Sequence, residues 1–186
     1  MGYHPNWTDE QLADIAAGNP ALNVTGAGCT TMRPALFEHF LEDWGYDVRM
    51  NAFDHYSSLN MNDNVVFIGY PSEAHREDVN YCDGQRSEMF KNMYDPIWDN
   101  GENGTPVNDE NYYALYLYKM VTRYKDHVKF WEVWNEPDLD LQGNGWKPSD
   151  MEGNWWTNDP QPCEFALRAP IYSLSLIHIS EPTRPY

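Results

Sequence analysis

The chain predicts an α/β fold built on a parallel sheet. Three observations carry that expectation: strand-like segments alternate with amphipathic helical runs, one strand candidate is continuously apolar, and the strongest helix leads directly into another strand. A run such as Val65-Val-Phe-Ile-Gly-Tyr70 suits a strand covered on both faces, as parallel strands are.

At the N-terminus, Leu12, Ile15 and Ala16 recur at helical spacing behind Thr8-Asp9-Glu10, the pattern of an N-cap followed by an acidic first turn. Val24 to Met32 is rich in Gly and Thr and is expected to form the first strand and its loop. Pro34 then opens a helix whose Leu36, Phe37, Phe40, Leu41 and Trp44 share one face, with Gly45 as its stop. Tyr46 to Phe53 alternates enough to predict a second strand, and Val65 to Tyr70 a third. Only Asp54 to Asn64 separates these two, barely enough for a parallel crossover. Either that crossover helix is a single turn or one of the two strands is misassigned.

From Tyr70 the chain is dense in Asn, Asp, Gly and Pro until Tyr112, and loops of that length in a compact domain are functional or disordered. Asp109 is the expected N-cap of the next helix, Tyr112 to Lys125, which buries Tyr113, Leu117, Met120, Val121 and Tyr124. A strand follows from Val128, then another loop from Asp138 to Pro162, and Cys163 to Ala169 is the start of a further helix. There is no internal repeat.

A formal net charge of -17 opposes binding to nucleic acid or to an anionic membrane surface. No run of about 18 apolar residues is present to span a bilayer. Cys29, Cys82 and Cys163 give neither a disulfide framework nor a metal knuckle. His4, His39, His55, His75 and His127 show no paired metal-ligand spacing, so no metal or other cofactor is expected. Asp138-Leu-Asp-Leu-Gln-Gly143 begins like a calcium loop, but Gln142 and Ser149 stand where acidic ligands belong. Thr25-Gly-Ala-Gly28 lacks the third glycine of a dinucleotide site. Localisation stays open, with an extracellular or periplasmic setting favoured.

The most specific stretch is Trp131-Glu-Val-Trp-Asn-Glu-Pro-Asp138, preceded by Arg123-Tyr-Lys125 and the strand residues Val128-Lys-Phe130. It reads as a short buried strand that delivers a carboxyl group at its end and is stopped by a proline. This string resembles the fourth barrel strand of the retaining glycoside hydrolases of clan A, close to families 39 and 5. The resemblance covers roughly Arg49 to Asp138, and its specific motifs lie in residues 123–138. It implies a partial (β/α)8 TIM barrel of roughly four strands, within residues 1–173. A whole barrel takes about 250 residues, so the set of elements is expected to be incomplete.

By the same resemblance Glu136 is the general acid/base, Asn135 bonds the sugar hydroxyl beside the reacting carbon, and the nucleophile is a later strand-end Glu that these residues lack. Strand alternation puts Glu132, Trp134 and Glu136 on one side and Trp131, Val133 and Asn135 on the other. Glu132 and Glu136 are about 13 Å apart along an extended strand, beyond the roughly 5–9.5 Å of paired glycosidase carboxylates. Arg49 resembles the arginine that braces those carboxylates, and an ion pair with Glu132 is its alternative. His55 is a candidate pocket residue, or a structural histidine. Trp98, Trp146, Trp155 and Trp156 fall in loop-like sequence and are candidate sugar-stacking platforms; the bland alternative is core packing. The expected partner is a carbohydrate substrate with β-linked O-glycosidic bonds. The rival function is a non-catalytic carbohydrate-binding protein on a barrel scaffold.

The last residues read differently. Leu174-Ser-Leu-Ile-His-Ile-Ser-Glu-Pro-Thr-Arg184 resembles the in-frame translation of a transposase-end adapter ligated to DNA libraries, so residues 174–186 are set aside from the fold. The alternative is an amphipathic or signal-like tail.

Overall fold

The computed structural model describes residues 6–78 and 89–133. Along them run α1 (Asp9–Ala17), a 3-10 turn (Pro20–Leu22), α2 (Glu38–Trp44), α3 (Met50–Ser58), β1 (Asn64–Phe67), α4 (Tyr112–Tyr124) and β2 (Val128–Glu132). The expected elements beyond Val133 lie outside the described residues.

α1 begins as its sequence predicts. Thr8 accepts from the Gln11 backbone N–H while the Gln11 side chain accepts from the Thr8 N–H, a reciprocal capping box, and Asp9 and Glu10 sit at the positive end of the helix dipole. The Gly- and Thr-rich segment that follows is not a strand. It folds back over the end of α1, where Ala27 N–H donates to Ile15 O at 3.1 Å and Cys29 N–H to Ala16 O at 2.9 Å. These bonds satisfy carbonyls that a helix end leaves open. The glycines are needed for proximity: a methyl group on Gly26 would collide with the Gly18 backbone, and Gly18 itself has φ +95°.

The first extended segment is instead 32–36. Val65 N–H donates to Met32 O and Phe67 N–H to Pro34 O, both at 3.0 Å, and Leu36 N–H returns a bond to Phe67 O at 2.9 Å. Ala35 thus pairs in parallel with Phe67, and β1 pairs in parallel with β2 through Val65–Phe130, Val66–Trp131 and Phe67–Glu132. The three neighbours follow chain order, each joined to the next by a helical crossover. Pro34 therefore lies in extended chain rather than opening a helix, and α2 starts only at Glu38. Being seven residues long, α2 cannot bury the whole predicted face, and Trp44 is 69% exposed.

The predicted strand over Tyr46–Phe53 is overturned. From Met50 the chain is helical. Ala52, Phe53 and Tyr56 recur at three-to-four spacing and are all buried, so helical periodicity prevails over the short run of alternation. This also removes the cramped crossover, because the connection to β1 now runs from Phe37 through α2 and α3.

α4 buries Tyr113, Leu117, Met120, Val121 and Tyr124 as expected, and Ala114 and Tyr116 besides. Its cap is Asn111 rather than Asp109: the Asn111 carboxamide accepts from Ala114 N–H and donates to the Met93 and Asp95 carbonyls. The core forms where α4, Leu41 of α2, the buried face of α3 and Ala13 of α1 meet Leu36, Val66 and Ile68. At the opposite end of the strands Asn64, fully buried, accepts from Met32 N–H and donates to the Met61 and His127 carbonyls. One carboxamide thereby fixes the starts of all three extended segments.

Candidate functional site

Paired residues of parallel strands share a face, so Ala35, Phe67 and Glu132 stand at one level on one side of the sheet, with Arg33 two residues back on the same side. The other side, with Leu36, Val66 and Ile68, is sealed under the helices. Arg33 reaches across Phe67 to Glu132 in a two-pronged ion pair, Nε to Oε2 at 2.5 Å and Nη2 to Oε1 at 2.6 Å. Its guanidinium carbon lies 5.0 Å from the centre of the Phe67 ring. Both charged side chains are about a third exposed, at 35% and 32%. Phe130, which precedes Glu132 on that face, is 52% exposed. Among the described residues no helix covers this side of the sheet, and an arginine and a carboxylate, each about a third exposed, converge there over the buried Phe67 ring.

In the sequence, β2 is followed by Val133 and then by the Trp134–Glu136 motif. Glu136, Asn135, Trp146, Trp155 and Trp156 lie outside the described residues. Of the remaining candidates, Arg49 caps α3 on the helical layer. Its guanidinium pairs with Asp9 and lies 5.1 Å from the centre of the Phe40 ring, and its backbone N–H donates to the Tyr124 hydroxyl at 3.3 Å. It does not meet Glu132, whose partner is Arg33, so the expected alternative pairing is corrected. His55 lies on α3 with its Nε2 2.8 Å from Asp14 Oδ1, and Asp14 also accepts from the Asn19 amide at 2.8 Å. The Asn19 bond, opposed by burial and reinforced by His55, holds the Asp14 carboxyl below its ordinary pKa.

Trp98, 39% exposed, pairs antiparallel with Val107 across a tight loop containing Asn100 and Gly101, both at positive φ. That loop belongs to the connection from the carboxyl end of β1 to the start of α4, and Asn108 N–H fastens it to Ile97 O. In parallel α/β sheets this end is where ligands bind. Trp98 thus lies in a suitable connection, whereas Arg49 and His55 stitch helices together.

Sequence reasoning missed Arg33. It fell between the segment read as a strand with its loop, Val24 to Met32, and the helix expected to open at Pro34. Comparison of the chain with protein-family models, with curated proteins and with solved structures finds no match.

Proposed function

We propose that this chain carries the acid/base half of a retaining glycoside hydrolase of clan A, on the opening strands of a (β/α)8 barrel. The observation that carries the reading is β2, a parallel strand over Val128–Glu132 whose carboxyl end runs directly into Val133-Trp-Asn-Glu136. Parallel neighbours in chain order, joined by helices, support the barrel reading, because a barrel adds its strands in sequence.

In this reading Glu136 protonates the leaving oxygen while a second carboxylate, supplied from outside these 186 residues, attacks the anomeric carbon. Glu136 then takes a proton from water as that water opens the glycosyl intermediate. Continued alternation would bring Glu136 to the same side as Glu132 and Trp134, and the apolar ring of Trp134 would favour its protonated form. Asn135 would hold the hydroxyl beside the reacting carbon. Arg33, clamped on Glu132, would stiffen the strand that leads to the acid. Residues 1–173 alone would show no turnover for lack of the nucleophile, and their open sheet face would make them poorly soluble.

The test uses the product of the intact parental gene. Glu136→Gln is expected to slow hydrolysis of natural glycosides by roughly 10²–10⁴-fold, while substrates with acidic leaving groups still load the enzyme with a covalent sugar. Unchanged hydrolysis refutes the assignment. Saturable sugar binding with no turnover in the unmutated protein would favour the non-catalytic carbohydrate-binding alternative.

A further inference from the structure

A second polar cluster lies away from the Arg33–Glu132 pair, where α2 meets the chain that follows β1. Helical spacing of four puts Glu38 and Glu42 on one face of α2, and His75 is brought to them from beyond Gly69. The Glu38 carboxylate is 1% exposed and accepts from the Ser72 N–H and from His75 Nδ1. The His75 ring is held in plane by stacking on Tyr112, with centroids 4.2 Å apart and planes 10° from parallel. Glu42 accepts from the Tyr46 hydroxyl at 2.9 Å. One donor atom from each of Glu38, Glu42 and His75 lies within 4.8 Å of the others.

Two features of this cluster are not explained by its hydrogen bonds. First, a buried carboxylate ordinarily requires a compensating cation, and among the described residues Glu38 is paired with His75, which carries charge only when protonated. Lys119 pairs with Glu42 at 4.0 Å and is 43% exposed. Second, the Ser72 hydroxyl oxygen is closed off from solvent and has no hydrogen-bond partner. It belongs to the residue whose own N–H is bonded to the Glu38 carboxylate.

We propose that Glu38, Glu42 and His75 bind a divalent transition-metal ion of the zinc type. An imidazole with two carboxylates and no thiolate is a borderline donor set, matched to zinc rather than to calcium or magnesium. A small turn of the exposed Glu42 side chain closes the three donors to the roughly 2 Å bonds such an ion requires. On binding, the proton on His75 Nδ1 leaves that nitrogen, for solvent from the protonated ring or for Nε2 in the neutral one, so that a neutral imidazole lone pair meets the ion, and two carboxylate charges are neutralised beside a core-facing helix. The ion ties α2 to the chain leaving β1 and takes no part in glycoside chemistry, so it stands or falls independently of Glu136. Histidine spacing in the sequence could not reveal it, because its single histidine joins two glutamates from another element.

Zinc chloride titrated into the product of the intact parental gene by isothermal calorimetry is expected to show one equivalent bound and to raise the melting temperature. Glu42→Gln, at an exposed position that preserves the fold, should weaken that binding by at least about tenfold and abolish the zinc-dependent rise in melting temperature. His75→Ala, with its fold checked by circular dichroism, should do the same. No zinc-dependent heat or stabilisation in the unmutated chain overturns the proposal. So does zinc binding by Glu42→Gln as tight as that of the unmutated chain.

Discussion

Tyr116→Phe removes one oxygen atom from the centre of the fold and should cost far more than its size suggests. The Tyr116 side chain is 1% exposed, and its hydroxyl donates to Leu36 O at 2.6 Å and accepts from Gly69 N–H at 3.2 Å. Those two backbone groups terminate the first extended segment and β1, so α4 staples the ends of neighbouring strands through one phenol. Phenylalanine fills the same space but leaves a buried donor and a buried acceptor without this partner, at about 1–3 kcal/mol for each orphaned group. A loss of about 2–6 kcal/mol is therefore expected against a total of about 5–15 kcal/mol. Urea unfolding followed by circular dichroism would read it as a midpoint lower by on the order of 1–3 M. Tyr118→Phe, on the less buried side of the same helix, is the control and should change stability by under about 0.5 kcal/mol. The same hydroxyl sets an alkaline limit. Burial holds its pKa well above the ordinary 10.0, so its contribution is complete below that pH and fades as pH climbs toward the raised value. Tyr116→Phe should lack that part of the alkaline decline. A midpoint shift equal to the control's would refute the staple.

Other perturbations test the remaining joints. Gly26→Ala drives a methyl group into the Gly18 backbone and should cost about 1–3 kcal/mol in chemical denaturation; a neutral result would mean the segment does not pack on the end of α1. Arg33→Met should cost about 1 kcal/mol or less, because the pair with Glu132 is partly solvated. That difference should shrink in 1 M salt, where the Debye length is about 3 Å. Asp14, with its carboxyl pKa lowered from 3.8, stabilises the fold above that pH and loses the contribution as pH falls through the lowered value. Asp14→Asn should therefore flatten the acid limb of stability, and an unaltered limb would show that the Asn19 and His55 contacts are not maintained in solution.

The helices were legible where strong signals agreed. In α1, Thr8 and the acidic first turn marked the start that the capping box confirms, and in α4 five apolar positions at helical spacing were enough to define both length and buried face. β1 was legible as a continuous apolar run. The strand over Tyr46–Phe53 failed because its last residues, Ala52 and Phe53, also stand four and three positions before Tyr56, the spacing of a helix that continues past the stretch, and burial against Tyr124 settles such a tie only in three dimensions. Met32 to Leu36 escaped for the opposite reason. Pro34 is a strong helix-start residue, but here its missing N–H costs the sheet nothing, and its carbonyl accepts from Phe67. At the site, alternation put Glu132 on one side of its strand, and pairing with Phe67 and Ala35 shows which side that is. Its arginine partner comes from 99 residues away, a separation that no local pattern encodes.

The proposed function requires a proton donor at position 136, four residues beyond β2 in the sequence. The most direct measurement is the product formed by Glu136→Ala, made in the intact parental gene product, when azide is supplied with a glycoside bearing a good leaving group. With the acid/base carboxylate gone, azide should restore turnover and give a glycosyl azide of the same anomeric configuration as the substrate. An azide product of inverted configuration, or hydrolysis by Glu136→Ala at the unmutated rate, would contradict it.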